Sequence, residues 1–133
     1  MKKITGMALI SLLVSGIGYA AQPCDGFQVV VKNNTSEKLY ATTAHLNRAS
    51  IQPGLVELNA QSEVTFTVSN SEADAILDGE LVFRTFSLPS KKVHIAFDLK
   101  HQILICEHTN KEVKSDYSVL PTRMPGKVTY NIG

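Results

Sequence analysis

Four histidines are the side chains of this sequence best suited to binding a transition metal: His45, His94, His101 and His108. A zinc or copper site needs three or four ligands that converge on the ion. The short spacings that usually supply them, such as His-X-His or Cys-X-X-Cys, do not occur in this chain. We therefore predict no metal site and no cofactor, and we expect the histidines to lie on the surface.

Carboxylates are the other groups that could support catalysis. Asp25, Asp98, Asp116 and several glutamates could form the kind of pair that hydrolyses glycosides, if the fold brings two of them together. The Gly-X-Ser-X-Gly and His-Glu-X-X-His motifs of hydrolases are absent. The acidic residues between positions 72 and 80 do not follow the calcium-loop pattern. The prediction is a protein that is not an enzyme, with a small envelope hydrolase as an alternative.

Two segments have the composition of recognition loops, which often carry apolar, aromatic and cationic side chains. One spans residues 87–92 and the other spans residues 115–125. The predicted binding residues in these segments are Leu88, Lys91, Lys92, Tyr117, Arg123 and Met124. The structural alternative is that Tyr117, Val119 and Leu120 cover the open end of the domain.

The first twenty residues have the order of a secretory signal peptide. Lys2 and Lys3 precede an uncharged, mostly apolar stretch from residue 4 to residue 17, and small residues lead to Ala20. The apolar stretch of about 14 residues is shorter than the roughly 20 that span a bilayer. The sequence predicts cleavage after Ala20, no stable membrane anchor, and a mature domain over residues 21–133 in the periplasm or outside the cell.

The two cysteines, Cys24 and Cys106, both follow this segment. An even number of cysteines in a small exported domain indicates a disulfide framework. Their wide separation is unlike the Cys-X-X-Cys spacing of redox pairs. We predict one structural disulfide between Cys24 and Cys106.

Length and composition indicate one folded domain. The chain has 133 residues, of which 44% are hydrophobic and 19% charged, so it is too apolar for a disordered segment. The formal charge is +1, and removal of Lys2 and Lys3 with the signal brings it to about −1. A chain without excess positive charge is not predicted to bind nucleic acid.

Alternation of apolar and polar residues is the main structural signal. Residues 63–69, 93–99 and 127–132 each place apolar side chains on one face, which is typical of antiparallel strands covered by a second layer. The residues predicted to point inward are Val64, Phe66, Val68, Val93, Ile95, Phe97, Leu99, Val128, Tyr130 and Ile132.

Further strands are predicted at residues 27–32, 39–46, 81–88 and 102–106, where residues 81–88 are apolar on both faces and should lie mid-sheet. Asp78-Gly79 and Pro125-Gly126 have the composition of turns. Residues 71–77 favour a short helix or an acidic loop, and residues 107–125 an irregular segment with room for one short strand. Together these features predict an all-β, antiparallel two-layer β-sandwich of seven or eight strands.

Several short motifs spread over the mature chain carry a resemblance to a group of proteins. These are Cys24–Phe27, Lys32–Asn34, Ser87–Lys91, Cys106–His108 and Lys114–Ser118. In these motifs the chain resembles small exported proteins of uncharacterised function from Legionella-like intracellular bacteria. The resemblance implies export and supplies no activity and no site residues.

The function predicted from these features is non-enzymatic binding by an exported protein. Surface loops would recognise a protein, a glycan or a host component. An exported inhibitor of a lysozyme or protease, presenting one loop to an active-site cleft, is the second hypothesis. The partner itself has no signature in the sequence.

Overall fold

The computed structural model describes residues 22–133, so the predicted signal peptide and its cleavage after Ala20 lie outside the described residues. Residues 22–133 contain ten strands and no helix. The strands are β1 (Gln28–Asn33), β2 (Leu39–Leu46), β3 (Ser50–Gln52), β4 (Glu57–Leu58), β5 (Ser62–Ser69), β6 (Ile76–Arg84), β7 (Lys92–His101), β8 (Cys106–Ser115), β9 (Val119–Met124) and β10 (Lys127–Ile132).

The strands form two five-stranded sheets that enclose one core. One sheet has the order β3-β5-β1-β10-β9 and the other has the order β4-β2-β6-β7-β8. The β1–β10 pair is parallel, and the other pairings are antiparallel. The predicted two-layer sandwich is confirmed, but the described chain has ten strands rather than seven or eight, because residues 107–125 form β8 and β9 and because β3 and β4 are very short.

Inward-facing apolar side chains fill the space between the sheets, as the alternation predicts. The four inward positions of β7 and the three of β10 are fully buried. Phe66 and Val68 of β5 are buried as well, while Val64 is partly buried against the core. Strand β6 lies in the middle of its sheet, as predicted, with Leu81 and Phe83 fully buried and Val82 9% exposed.

Asp78-Gly79 was predicted to be a turn, and this is wrong. Both residues lie within β6, where Gly79 pairs with Phe97 of β7. A Cβ atom at position 79 would collide with the Phe97 ring. The glycine is therefore required by close packing inside the sheet rather than by a turn.

The helix considered at residues 71–77 does not form. The backbone N–H and the hydroxyl of Ser71 both donate to the same carboxylate oxygen of Asp25, at 2.9 and 2.6 Å. Asp74 has a positive φ of 60°, and β6 begins two residues later at Ile76. Residues 71–75 instead form the acidic loop that was the other expectation, with a turn at residues 73–74, because two turns of helix are only marginally stable and long-range hydrogen bonds hold the loop.

The strand predicted at residues 102–106 is also wrong. The backbone N–H of Gln102 donates to the carbonyl of Ile105 at 2.9 Å, which makes residues 102–105 the turn between β7 and β8. The hairpin predicted near residues 100–101 therefore turns slightly later in the chain. Ile103 and Leu104 are 93% and 86% exposed at its tip.

The predicted disulfide between Cys24 and Cys106 is present, and it joins residues that are 82 positions apart. Cys24 is fully buried, and Cys106 is the first residue of β8. The bridge therefore fastens the segment before β1 to the opposite sheet.

Strand directions divide the sandwich into two ends. The hairpin end holds the β7–β8 turn (residues 102–105), the β9–β10 turn (residues 125–126) and the segment before β1. The loop end holds the β6–β7 loop (residues 85–91), the β8–β9 connection (residues 116–118) and the β1–β2 turn. Within residues 22–133 we find no helix of the length and hydropathy that a bilayer-spanning segment requires.

Candidate functional site

The residues predicted to bind a partner do not form one surface. Leu88, Lys91 and Tyr117 lie at the loop end, together with Lys92, the first residue of β7. Arg123 and Met124 end β9 and lie at the hairpin end. The two segments chosen from the sequence therefore contribute to two separate candidate sites.

At the loop end, hydrogen bonds fold residues 85–91 onto themselves. The backbone N–H of Lys91 donates to the buried Thr85 hydroxyl at 2.8 Å, and the Ser90 hydroxyl donates to the Thr85 carbonyl at 2.8 Å. The Thr85 N–H donates back to the Lys91 carbonyl at 3.0 Å. At the apex of this loop Leu88 is 95% exposed, so the loop is ordered while its apolar apex faces solvent.

Tyr117, Lys91 and Glu37 form a cluster beneath the loop. The Tyr117 hydroxyl donates to a Glu37 carboxylate oxygen at 2.9 Å, and the Lys91 ammonium lies 3.4 Å from the same oxygen. That ammonium also lies 5.2 Å from the centre of the Tyr117 ring. The Tyr117 hydrogen bond, with smaller contributions from Ser87 and Lys91, lowers the pKa of Glu37. Burial raises the pKa of Tyr117.

This cluster shows that Tyr117 has a structural role. Tyr117 and Val119 pack against the core, as the structural alternative expects, whereas Leu120 is 66% exposed. Lys92 joins the two predicted segments through its backbone, which donates to the Asp116 carboxylate at 2.8 Å and accepts from the Asp116 N–H at 2.9 Å.

An aromatic pair that the sequence did not indicate lies beside the loop apex. The rings of Phe86 and Tyr40 stack with their centres 3.9 Å apart, and Phe86 is 76% exposed. A strand was predicted at residues 81–88, and this is wrong for residues 85–88, because β6 ends at Arg84 and Phe86 lies in the β6–β7 loop. The apolar apex therefore consists of Leu88 with the outer face of Phe86.

At the hairpin end a cavity of about 460 Å³ opens between the β7–β8 turn and the β9–β10 turn. Its lining includes Phe27, Ile105, Cys106, Arg123, Met124 and Lys127. Phe27 is 3% exposed, while Ile105 and Met124 are 61% and 55% exposed. The cavity thus has an apolar base and a partly solvated apolar rim, with cationic side chains at one side.

A chain of hydrogen bonds runs from this cavity into the core. Arg123 Nε donates to His108 Nδ1 at 3.1 Å. In the neutral imidazole the proton must then be on Nε2, which donates to the Tyr130 hydroxyl at 2.6 Å. That hydroxyl in turn donates to Asn110 Oδ1 at 3.3 Å. Both ring nitrogens of His108 and the Tyr130 hydroxyl therefore have partners, as their burial requires.

His108 was expected at the surface, and that expectation is wrong. Its side chain points inward from β8 between the rings of Phe27 and Phe97, and the residue is 7% exposed. Burial, and secondarily the Arg123 charge, lowers the pKa of His108 to about 4. Burial also raises the pKa of Tyr130 well above its ordinary value. Tyr130 was itself predicted to face inward, and a buried tyrosine hydroxyl needs a partner, which is the signal that could have drawn attention to His108.

The other histidines serve local contacts. His101 Nδ1 accepts from the Cys24 N–H at 3.3 Å, and its Nε2 lies 3.1 Å from the Glu72 carbonyl. His94 lies 2.7 Å from a Glu80 carboxylate oxygen, and His45 is exposed. No group of three or more metal-ligating side chains is clustered within residues 22–133.

The three aspartates considered for catalysis lie far from one another in function: two hold loops, and one faces another carboxylate across a sheet. Asp25 and Asp116 bond to loop groups, while Asp98 lies opposite Asp78 across β6 and β7. Burial raises the pKa of Asp98, and the hydrogen bond with Asp98 lowers the pKa of Asp78. Separated pKa values are typical of acid–base pairs. However, this pair lies on the outer face of the sheet, where the Lys111 ammonium is 3.4 and 3.6 Å from the two carboxylates.

Comparison with known proteins does not assign this sequence to a family. No known family model matches the sequence, and no curated protein aligns with it significantly. The resemblance to small exported proteins therefore stays a prediction, and function has to be inferred from the two ends of the sandwich.

Proposed function

We propose that this is an exported, non-enzymatic binding protein that recognises another protein through its loop end. The observation that carries the proposal is the ordered β6–β7 loop, which holds Leu88 at 95% exposure beside the 76% exposed Phe86. Two large apolar side chains exposed next to each other on a surface are typical of interaction sites.

The order of the loop favours binding energetically. A loop that is already folded loses little conformational entropy when it is captured. The bonds from Lys91 and Ser90 to Thr85 supply that order, and the Tyr117–Glu37–Lys91 cluster supports the loop from below. A flexible loop of the same composition would bind more weakly because each ordered side chain costs free energy.

The chemistry of the apex favours a protein partner. Leu88 and Phe86 offer no hydrogen bond to a hydroxyl-rich glycan, but together they fit an apolar pocket. Lys92, at the base of the loop, forms no salt bridge with a residue in the described range 22–133. The complementary surface would be an apolar pocket with an acidic rim.

Export is supported by two independent features. The first twenty residues have the composition of a signal peptide. The two cysteines form a disulfide, which is compatible with an oxidising compartment such as the periplasm or the medium.

The test is differential capture with two matched variants. Leu88→Asp places a charge at the loop apex, and Leu104→Asp places the same charge at the opposite end, where Leu104 is 86% exposed. Mature wild type and both variants are immobilised and exposed to envelope, medium and host-cell extracts. We expect a protein bound by wild type and Leu104→Asp whose affinity, measured after purification, falls at least about tenfold with Leu88→Asp. If every captured protein binds Leu88→Asp as well as wild type, the loop end is not the recognition surface.

The same loop supports the inhibitor hypothesis as the second candidate. Inhibitors that enter an active-site cleft present a preformed loop that changes little on binding. The bonds within residues 85–91 give this loop that property. Inhibition of a panel of lysozymes and proteases by wild type and Leu104→Asp, and its loss with Leu88→Asp, would establish it. Full enzyme activity throughout the panel at micromolar protein would exclude it for those enzymes.

A further inference from the structure

The cavity at the hairpin end has the size and lining of a small-molecule site. Its volume of about 460 Å³ lies in the range of roughly 300–1,000 Å³ typical of ligand pockets. Such pockets are mostly apolar and contain a few fixed polar groups that orient the ligand. Phe27, Ile105 and Met124 supply the apolar surface, and Arg123 supplies the fixed polar group.

The hydrogen-bond chain behind the cavity holds Arg123 in place. Its Nε is committed to His108, whose Nε2 is committed in turn to Tyr130 in the core. The Arg123 Nη groups form no hydrogen bond or salt bridge within residues 22–133. A guanidinium that is held by one nitrogen and open at the others is arranged to receive a carboxylate.

The local charge also favours an anion. His108 is neutral and its Nδ1 accepts from Arg123, so the guanidinium keeps its full charge for an anion. Lys127 lines the cavity and forms no salt bridge with any residue from 22 to 133. Glu107, the carboxylate in the lining, accepts a hydrogen bond from Gln102 at 2.8 Å and forms no salt bridge with Arg123.

We propose that this cavity binds a small apolar molecule carrying one carboxylate. The apolar body would lie against Phe27, Ile105 and Met124, and the carboxylate would bind the Arg123 guanidinium. This chemistry has two natural sources, a free fatty acid and the C-terminus of a peptide that ends in an apolar residue. The site is at the opposite end from the loop proposed for protein recognition and does not depend on it.

The experiment uses paired probes that differ only in the acid group. Monomeric decanoate is compared with decanol, and an N-acetylated tripeptide acid ending in leucine is compared with its C-terminal amide. Binding to the mature protein at pH 7 is followed by calorimetry and by NMR shifts of the Arg123 side chain and the amides of residues 105–108. We expect at least one acid to bind saturably at these residues and its neutral analogue to bind more weakly.

Three variants test the residues. Arg123→Gln removes the charge and should weaken binding of the acid roughly 10- to 100-fold. Ile105→Glu, at a 61% exposed position, places a negative charge at the rim and should also weaken binding of the acid. This variant tests the site even if Arg123→Gln fails to fold. Lys100→Gln removes an exposed cation at the same end that does not line the cavity, and it should bind like wild type.

The outcomes separate cleanly. Binding of either acid that is weakened by Ile105→Glu, and by Arg123→Gln where that variant folds, supports the proposal, and the acid that binds more tightly identifies the source. Binding that a folded Arg123→Gln leaves unchanged overturns it. Equal binding of acid and neutral analogue, binding that Ile105→Glu leaves unchanged, or shifts confined to the exposed hairpin tip would overturn it. The absence of saturable binding by both acids would overturn it as well.

Discussion

Arg123 Nε donates a hydrogen bond to His108 Nδ1 over 3.1 Å, and this contact sets the tautomer of the buried imidazole. Because Nδ1 accepts, Nε2 carries the proton and donates to Tyr130. Protonation of Nδ1 would break the bond to Arg123 and place two positive charges side by side. The pair therefore couples the stability of the hairpin end to pH.

The first prediction concerns stability in acid. The pKa of His108 is about 4 in the folded protein and near 6.5 in the unfolded chain, so the unfolded chain binds more protons between these values. The free energy of unfolding is therefore highest above pH 6.5 and decreases by up to about 3 kcal/mol as the pH falls towards 4. Urea unfolding at pH 7, 5.5 and 4.5 measures it. His108→Gln should show a flatter pH dependence, and equal slopes for the two proteins would contradict the prediction.

The second prediction separates the causes of the His108 shift. Burial is the larger cause and the Arg123 charge the smaller, so Arg123→Gln should raise the pKa of His108 while leaving it below 6.5. NMR titration of the imidazole measures the change, with Lys100→Gln as the control. A pKa that stays at about 4 would show that burial acts alone.

The third prediction concerns the disulfide. Closing a loop of 82 residues restricts the unfolded chain, and the chain-entropy model gives about 4–5 kcal/mol for such a loop. Replacing Cys24 and Cys106 by serine together should lower the free energy of unfolding by up to that amount, measured in urea. Reduction of wild type should have a similar effect and leave the double variant unchanged. A thiol assay that finds two free cysteines in oxidised, unfolded protein would exclude the bridge.

The fourth prediction concerns the glycine inside β6. Gly79→Ala would drive a methyl group into the Phe97 ring, and overpacking of this kind costs about 1–3 kcal/mol. Thermal or urea unfolding measures the loss. In the Phe97→Leu background the added cost of Gly79→Ala should fall, because the smaller side chain frees space. Equal costs in the two backgrounds would show that the ring is not the cause.

The fifth prediction concerns the cluster beneath the loop. The Tyr117 hydrogen bond is the main cause of the lowered pKa of Glu37, so Tyr117→Phe should raise that pKa. Carboxyl NMR titration measures it. Lys91→Gln should also raise it, because Lys91 contributes both a hydrogen bond and a positive charge. A pKa of Glu37 that Tyr117→Phe leaves unchanged would contradict the prediction.

The sheets could be predicted from local patterns, since a strand with one face in the core must alternate. Phe97 and Tyr130 occupy the buried positions that the alternation gives them. Pairing of the cysteines followed from their number. Strands β8 and β9 were not predicted because both are edge strands. Most of their residues are not buried, so apolar and polar residues do not alternate, and an edge strand also tolerates Pro121.

The candidate sites could be predicted only in part, because they depend on contacts between distant segments. Lys91 and Tyr117 were chosen from different segments, and only the fold shows that Glu37 joins them. The importance of His108 depends on Arg123 and Tyr130, which lie on strands of the other sheet. Apolar composition suggested a strand at residues 102–106, but a hairpin turn placed Ile103 and Leu104 in solvent.

The parallel pairing of β1 with β10 determines when the molecule can finish folding. Val29 of β1 needs Val128 of β10 beside it, so one side of β1 stays unpaired until residues 127–132 have been synthesised. A chain interrupted before residue 127 would hold β1 with β5 alone and leave an open edge for other chains to join. Until residues 127–132 are available, the two sheets cannot enclose the complete core, to which Val128, Tyr130 and Ile132 belong.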